Sequence, residues 1–193
     1  MRTSPCGRSC VRAIAIVVST LAALPAPASA EHGTGGAGTV IPPAPAPPAV
    51  PPTTALETAE LSPDGRTAIA PASAPDQIKN AIYAANELTR KPYRYGGGHR
   101  SFLLDTAYDC SGSVSYSLHG AGLLDKPLDS SALMRWGLRG KGAWITVYTN
   151  PRHAFAMIAG LRFDTSGPGQ RGPRWRSGVR VSRGFAARHP DGL

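Results

Sequence analysis

Residues 109–121 read Asp109-Cys110-Ser111-Gly112-Ser113-Val114-Ser115-Tyr116-Ser117-Leu118-His119-Gly120-Ala121. Asp109 and Ser111 are capping residues, and Val114, Leu118 and Ala121 recur on one helical face, so a helix is expected from Asp109-Cys110 to about Gly120. A thiol at such a start lies beside backbone amides without intrahelical acceptors and at the positive end of the helix dipole. Both favour thiolate. Cys110 is therefore read as a nucleophile, against the alternative of a small buried hydrophobe.

Working outward, a first helix is expected from Asp76, which can cap it, with Ile78, Ala81, Ile82, Ala85 and Leu88 on one face. It stops before Pro92. Tyr93-Arg94-Tyr95 then enters the turn Gly96-Gly97-Gly98, and a loop runs to Tyr108. Asp129-Ser130-Ser131 is expected to cap a short third helix bearing Leu133, Met134 and Trp136. After Gly142 the period changes to two. Antiparallel strands are expected at 143–149, 153–159 and 162–165, with turns at Asn150-Pro151 and Ala159-Gly160, and further edge strands at 179–181 and 185–188. Helices followed by strands imply an α+β domain in which the cysteine helix packs on an antiparallel sheet.

The flanking sequence fixes the compartment expected of this domain. Arg2, Arg8 and Arg12 precede an apolar run from Ala13 to Leu24, and Ala28-Ser29-Ala30 follows, which together read as a secretory signal over 1–30. The run is shorter than the roughly 20 residues a membrane-spanning helix needs, so no stable span is expected. Residues 31–75, dense in Pro, Ala, Gly, Ser and Thr, read as an extended linker, leaving 76–193 for the domain. Cys6 and Cys10 precede the apolar run and leave with the signal, so Cys110 is the lone thiol of the exported chain. In a compartment where cysteines are usually paired, a lone thiol suggests chemical use.

The net charge is +9, of which +6 lies beyond residue 30. Seven arginines (162, 171, 174, 176, 180, 183 and 188) follow Leu161 against Asp164 and Asp191, which suits anionic wall polymers. The absence of zinc spacing, a basic helix or interleaved aromatics argues against nucleic acid. No metal or other cofactor is expected, and a monomer is.

A thiolate needs a proton partner. His32 lies in the linker. His119, nine residues after Cys110 on the same helix, falls on the opposite face and roughly 13 Å along the axis. His99 is placed in a glycine loop that would hold it poorly, and His189 follows the least regular segment. His153 opens the apolar strand Ala154-Phe155-Ala156-Met157-Ile158-Ala159 and is the expected base. If Ala159-Gly160 is a two-residue turn, Asp164 pairs with Phe155 on the face of His153 and orients the imidazole; one more loop residue puts Thr165 there instead.

With these residues in place the chain resembles the NlpC-type cysteine peptidases of bacterial cell walls. The likeness rests on Pro92-Tyr93-Arg94-Tyr95-Gly96-Gly97, on Asp109-Cys110-Ser111-Gly112-Ser113-Val114 and on His153, and it spans about residues 76–165. It implies a papain-like fold and hydrolysis of peptidoglycan stem peptides at the bond from D-glutamate to diaminopimelate or lysine. Cys110 would be nucleophile and His153 base. Tyr93 matches a tyrosine lining the site, and Asp109 and Ser111 match positions that in some members bind the free amine of the stem peptide. The chain departs from the pattern in a longer 97–109 stretch, in an acid where a histidine is common, and in the arginine-rich end. A non-catalytic wall-binding protein, and an amidase or acyltransferase using the same residues, are the competing readings.

Overall fold

The computed structural model describes residues 56–169, 172–178 and 180–193. The expected signal, and the expected linker as far as residue 55, lie outside the described residues. Eleven elements follow in order: β1 (Glu60–Leu61), β2 (Ala68–Ile69), α1 (Asp76–Leu88), α2 (Cys110–Gly120), α3 (Ser130–Leu133), β3 (Leu138–Arg139), β4 (Ile145–Asn150), β5 (His153–Ile158), β6 (Leu161–Asp164), β7 (Arg174–Arg176) and β8 (Ala186–His189). The last six form one antiparallel sheet in the order β3-β8-β4-β5-β6-β7. The α1 and α2 helices pack together, and both contact β5. This is the expected α+β arrangement of helices on an antiparallel sheet. Among the described residues no helix is long and apolar enough to cross a membrane.

The α1 helix buries the face its sequence predicts: Ile78, Ala81, Ile82, Ala85 and Leu88 are fully inaccessible. Its start differs from expectation. Pro75 occupies the cap position, no side chain caps the helix, and Asp76 is the first helical residue, 3.5 Å from Lys79 Nζ. An acid there still meets the positive end of the helix dipole.

The domain also begins earlier than the Pro75-Asp76 boundary read from composition. β1 and β2 form a hairpin, Ala59, Ala68 and Ala74 are buried, and Ala59 N–H donates to Ala159 O at 2.7 Å. Asn86 of α1 takes both backbone groups of Ala68, each at 2.9 Å, and accepts from Trp175 Nε1 at 2.7 Å. Residues 56–75 thus belong to the fold rather than to a linker. They bury alanines and satisfy their backbone through a side chain, which no apolar period announces.

The α2 helix is buried on more than the one expected face, and three of its four serines are accommodated by bonding to backbone carbonyls. Ser113 donates to Cys110 O, Ser115 to Leu128 O and Ser117 to Ala81 O, at 2.9 to 3.0 Å. α3 is capped by Asp129, which accepts from Ala132 N–H at 2.7 Å, but stops at Leu133, short of the expected Trp136.

Both central turns have two residues. Asn150 pairs with His153, and Asn150 Oδ1 accepts from the N–H groups of Arg152 and His153 at 2.9 Å each, an Asx-type turn. Ile158 pairs with Leu161 across Ala159 (φ 44°) and Gly160 (φ 79°), the left-handed pair that matches strand twist. The expected edge strand at 185–188 is observed as β8 but is not at an edge: it lies between β3 and β4. Arg180 and Val181 are outside any strand, and Val179 is outside the described residues. β7, at the true edge, was hidden by its short Arg-Trp-Arg sequence.

Candidate active site

The site lies where the start of α2 meets the start of β5. Asp109 caps α2 by accepting from Gly112 N–H at 2.8 Å, which fixes Cys110 in the first helical turn. Gly112 itself lies against the carbonyl oxygen of Gly97, close enough that a Cβ would overlap it. That contact draws the Tyr93–Gly98 segment over the helix start. Asp109 N–H donates to Gly97 O at 3.2 Å, Gly96 N–H donates to Asp109 Oδ2 at 2.9 Å, and Tyr93 pairs with Tyr108. Two motifs apart in sequence thereby form one wall.

Cys110 is free and buried. Ser130 Oγ lies 3.9 Å from its sulfur, and His153 and Ala154 N–H are near enough to act on the thiol's pKa. Burial pushes the thiol's pKa up. The bonds from His153 and Ala154 and the imidazole's charge outweigh it and hold the pKa below the ordinary cysteine value. The other side of the pair is consistent: burial pulls His153 down, but bonds to Asp164 and Cys110, and their charges, push it up to about 9. Opposed displacements of this kind mark a pair that favours thiolate and imidazolium.

Asp164 is wholly buried and sits where the two-residue turn puts it, on the face of His153. His153 Nε2 donates to Asp164 Oδ1 at 2.9 Å. The same oxygen accepts from Ser166 N–H and Oγ at 2.8 and 2.9 Å. With Nε2 committed to Asp164, Nδ1 is the ring nitrogen left for Cys110. Desolvation raises the Asp164 carboxyl, and the bonds from His153 and Ser166 more than offset it, so it is held below the usual carboxylate range. Thr165, the alternative of the longer loop, is not on this bond.

A cleft of about 620 Å³ opens over Cys110, lined among others by Tyr93, His99, Asp109, Ser111, Asp129 and Arg152. The pKa of the Tyr93 hydroxyl is raised by burial and then by the charge of Cys110. Beyond Tyr95 the 97–109 loop shapes an adjoining groove with Arg94, Arg100, Leu103 and Leu104.

Among solved structures, the chain is similar to a hypothetical invasion protein of Mycobacterium tuberculosis, Rv1477, at 21% identity over 58% of this chain and 62% of that one, with a TM-score of 0.45. It is also similar to a mutated form of the resuscitation promoting factor interacting protein RipA, at 20% identity over 68% and 70% of the two chains, again with a TM-score of 0.45. The chain therefore spans less than two thirds of the length of the first of these. No protein-family model and no curated protein matches the sequence. The chemistry of the site's own residues carries the functional reading.

Two residues of the site escaped the sequence reading. His99, set aside as loosely held, is fixed by Asp109 Oδ1 at 2.9 Å with Ser111 Oγ 3.3 Å away. The bond to Asp109 raises its pKa against the effect of burial. Asp109 is lowered: burial raises it, but His99 and Gly112 N–H prevail. A histidine ten residues before a capping acid was the available signal, obscured by the glycines around it. The second is Arg180, whose Nη1 donates to Asp164 Oδ2 at 2.9 Å. No periodicity leads to it, because it comes from an irregular stretch.

Among the described residues the two other histidines have structural partners. His119 bonds Leu124 O at 2.8 Å and stacks on Phe102, and His189 bonds Gly140 O at 3.2 Å. Among the described residues no group of three His, Cys, Asp or Glu side chains is arranged to hold a metal ion. Several arginines of the basic end turn inward: Arg176 donates to Pro168 O and Arg174 to Gly172 O, while Arg162 Nε lies 3.7 Å from Asp164.

Proposed function

We propose that this protein is an exported cysteine endopeptidase that hydrolyses peptidoglycan stem peptides, with Cys110 as nucleophile, His153 as acid and base, and Asp164 as the group that orients the imidazole. The observation that carries this reading is the line from Cys110 through His153 to a buried Asp164, beneath a cleft that opens over Cys110. The wall-peptide substrate comes from the resemblance of the Tyr93–Gly97, Asp109–Val114 and His153 segments to the NlpC-type peptidases. The basic end and the leader-like first 30 residues agree with an extracytoplasmic anionic matrix.

The geometry supports a conventional thiol hydrolysis. The Cys110 thiolate attacks the scissile carbonyl carbon, and the oxygen gains charge near the Cys110 N–H, which as a first-turn amide has no intrahelical acceptor. Imidazolium Nδ1 passes its proton to the leaving amine, the C–N bond breaks, and a thioester remains. Neutral His153 then takes a proton from water, whose oxygen attacks the thioester and releases the carboxylate and Cys110. Asp164 keeps Nε2 protonated throughout. Asp109 and Ser111, beside the nucleophile, are assigned to the substrate's free amine, and Tyr93 to the cleft wall.

Digestion of purified peptidoglycan by the protein and by Cys110→Ala, with mass spectrometry of the released muropeptides, tests the function and identifies the bond. New amino termini from the wild type alone are expected. Equal products from both proteins, or none from either, would reject the proposal.

A further inference from the structure

Asp164 has two oxygens, and only one of them faces the imidazole. The other, Oδ2, accepts from Arg180 Nη1 at 2.9 Å and has Arg162 Nε 3.7 Å away. Arg180 Nη1 also contacts Ser166 Oγ and lies 3.4 Å from His153 Nε2. Its guanidinium carbon sits 5.3 Å from the Phe155 ring centre and 5.5 Å from that of Phe185, and these two rings meet edge to face. The guanidinium is thus held between two aromatic faces and a carboxylate, in a part of the chain with no regular secondary structure around it.

The bonds from His153 and Ser166 all converge on Oδ1, so they hold one side of the carboxylate and leave Oδ2 to be fixed by another partner. Charge-assisted bonding from Arg180 supplies it. We propose that Arg180 is a positioning residue: it locks the Asp164 carboxylate so that Oδ1 is presented to His153, and it makes the arginine-rich segment part of the site. This rests on the reading of Cys110 and His153 as the reacting pair. Arg180 acts through Asp164 and is not assigned to the cleft lining.

Arg180 also alters the charge around His153. The groups facing that ring from the neighbouring elements are Cys110 of α2, Asp164 of β6, Ser166 after β6, and Arg180; Arg162 of β6 faces Asp164, with Arg176 of β7 near Arg162. Arg180 repels an imidazolium and shares the Asp164 charge that would otherwise serve it alone. Both effects disfavour the protonated ring, so removing the guanidinium's charge should move the His153 titration upward.

The test uses the full chain labelled with 13C-histidine, following the His153 resonance by NMR against pH, beside kcat and KM for muropeptide hydrolysis. In Arg180→Gln, a side chain that still donates to Oδ2 but has no charge, the titration should rise by about one pH unit, as expected for loss of a charge within hydrogen-bond range. In Arg180→Lys, which keeps the charge, it should stay. kcat near neutral pH should fall by about tenfold in Arg180→Met, which loses the bond to Oδ2 together with the charge, with KM unchanged because the residue does not touch substrate. Arg180→Met, which keeps the stacked stem, also replaces Arg180→Gln in the titration if that variant loses its cooperative melt. An unchanged or lowered titration in the neutral variants, or a loss lying wholly in KM, overturns the proposal. If instead the wild type leaves muropeptides intact while the titration shifts as stated, the peptidase reading fails and the positioning role stands.

Discussion

Replacing Asp164 by asparagine removes one charge and keeps the shape. The amide oxygen can still accept from His153 Nε2, but the NH2 group must then face Arg180 Nη1, a donor against a donor. Two consequences follow. Arg180 and Arg162 lose their buried counter-ion, and breaking one side of a buried pair costs about 3 to 5 kcal/mol, a fall in melting temperature of about 10 °C or more for a domain of this size. The imidazolium also loses its principal partner. With His153 at about 9 in the wild type, loss of an adjacent carboxylate brings it to about 7. At about pH 8 the protonated fraction then drops from about 0.9 to about 0.1, whereas at about pH 6 it stays near 0.9 or above in both proteins. Asp164→Asn should therefore lose about tenfold more hydrolysis relative to wild type at about pH 8 than at about pH 6. The assay is kcat/KM on a soluble muropeptide across that range, at a temperature well below both melts. Equal loss at the two pH values in a cooperatively folded variant would refute a role through the imidazole's charge, and no loss at either would remove Asp164 from the site.

Other outcomes are expected from the same structure. His99 is raised and Asp109 lowered by their mutual bond, so the charged pair stabilises the fold above the unfolded carboxylate pKa and below the unfolded imidazole pKa. The melting-temperature gap between wild type and His99→Ala should be widest between about pH 4 and 6.5, narrowing below as Asp109 protonates and above as His99 loses its proton; a flat gap across calorimetric scans would contradict this. Gly112→Ala places a methyl group on the Gly97 carbonyl and should destabilise by about 1 to 3 kcal/mol in chemical denaturation. A neutral result would mean the two segments are not pressed together. Asn86→Ala strands both backbone groups of Ala68 and Trp175 Nε1, so about 2 to 4 kcal/mol should be lost; wild-type stability would return residues 56–75 to the linker.

The legible parts of this fold are those whose pattern is local. The apolar face of α1, the capped start of α2 and the two hairpin turns each depend on residues a few positions apart. The placement of Asp164 opposite Phe155, on the face of His153, was one of two outcomes of counting across a turn, Thr165 being the other, and the two-residue turn decides between them. What sequence hid depends on contacts between distant residues with no period. Asn86 reaches Ala68 and Trp175, and Arg180 reaches Asp164, through single side chains. The burial of alanines at 59, 68 and 74 looks in composition like solvated linker. β8 was visible as a strand, but its place between β3 and β4 was not, since a two-residue partner such as β3 leaves no alternation to read.

The position of β8 has a further meaning for how the molecule is made. β4 to β7 can form as a run of hairpins, each joining strands adjacent in sequence. β8 follows all of them, yet must insert between β4 and β3, bridging about fifty residues back to Leu138. Long-range closures of this kind are slow and come late. The stretch that leads into β8 contains Arg180 and Phe185, so the sheet and the surroundings of Asp164 are completed in one event. Without this strand β4 would be left as an open edge of the sheet, and Asp164 would lack its contact with Arg180.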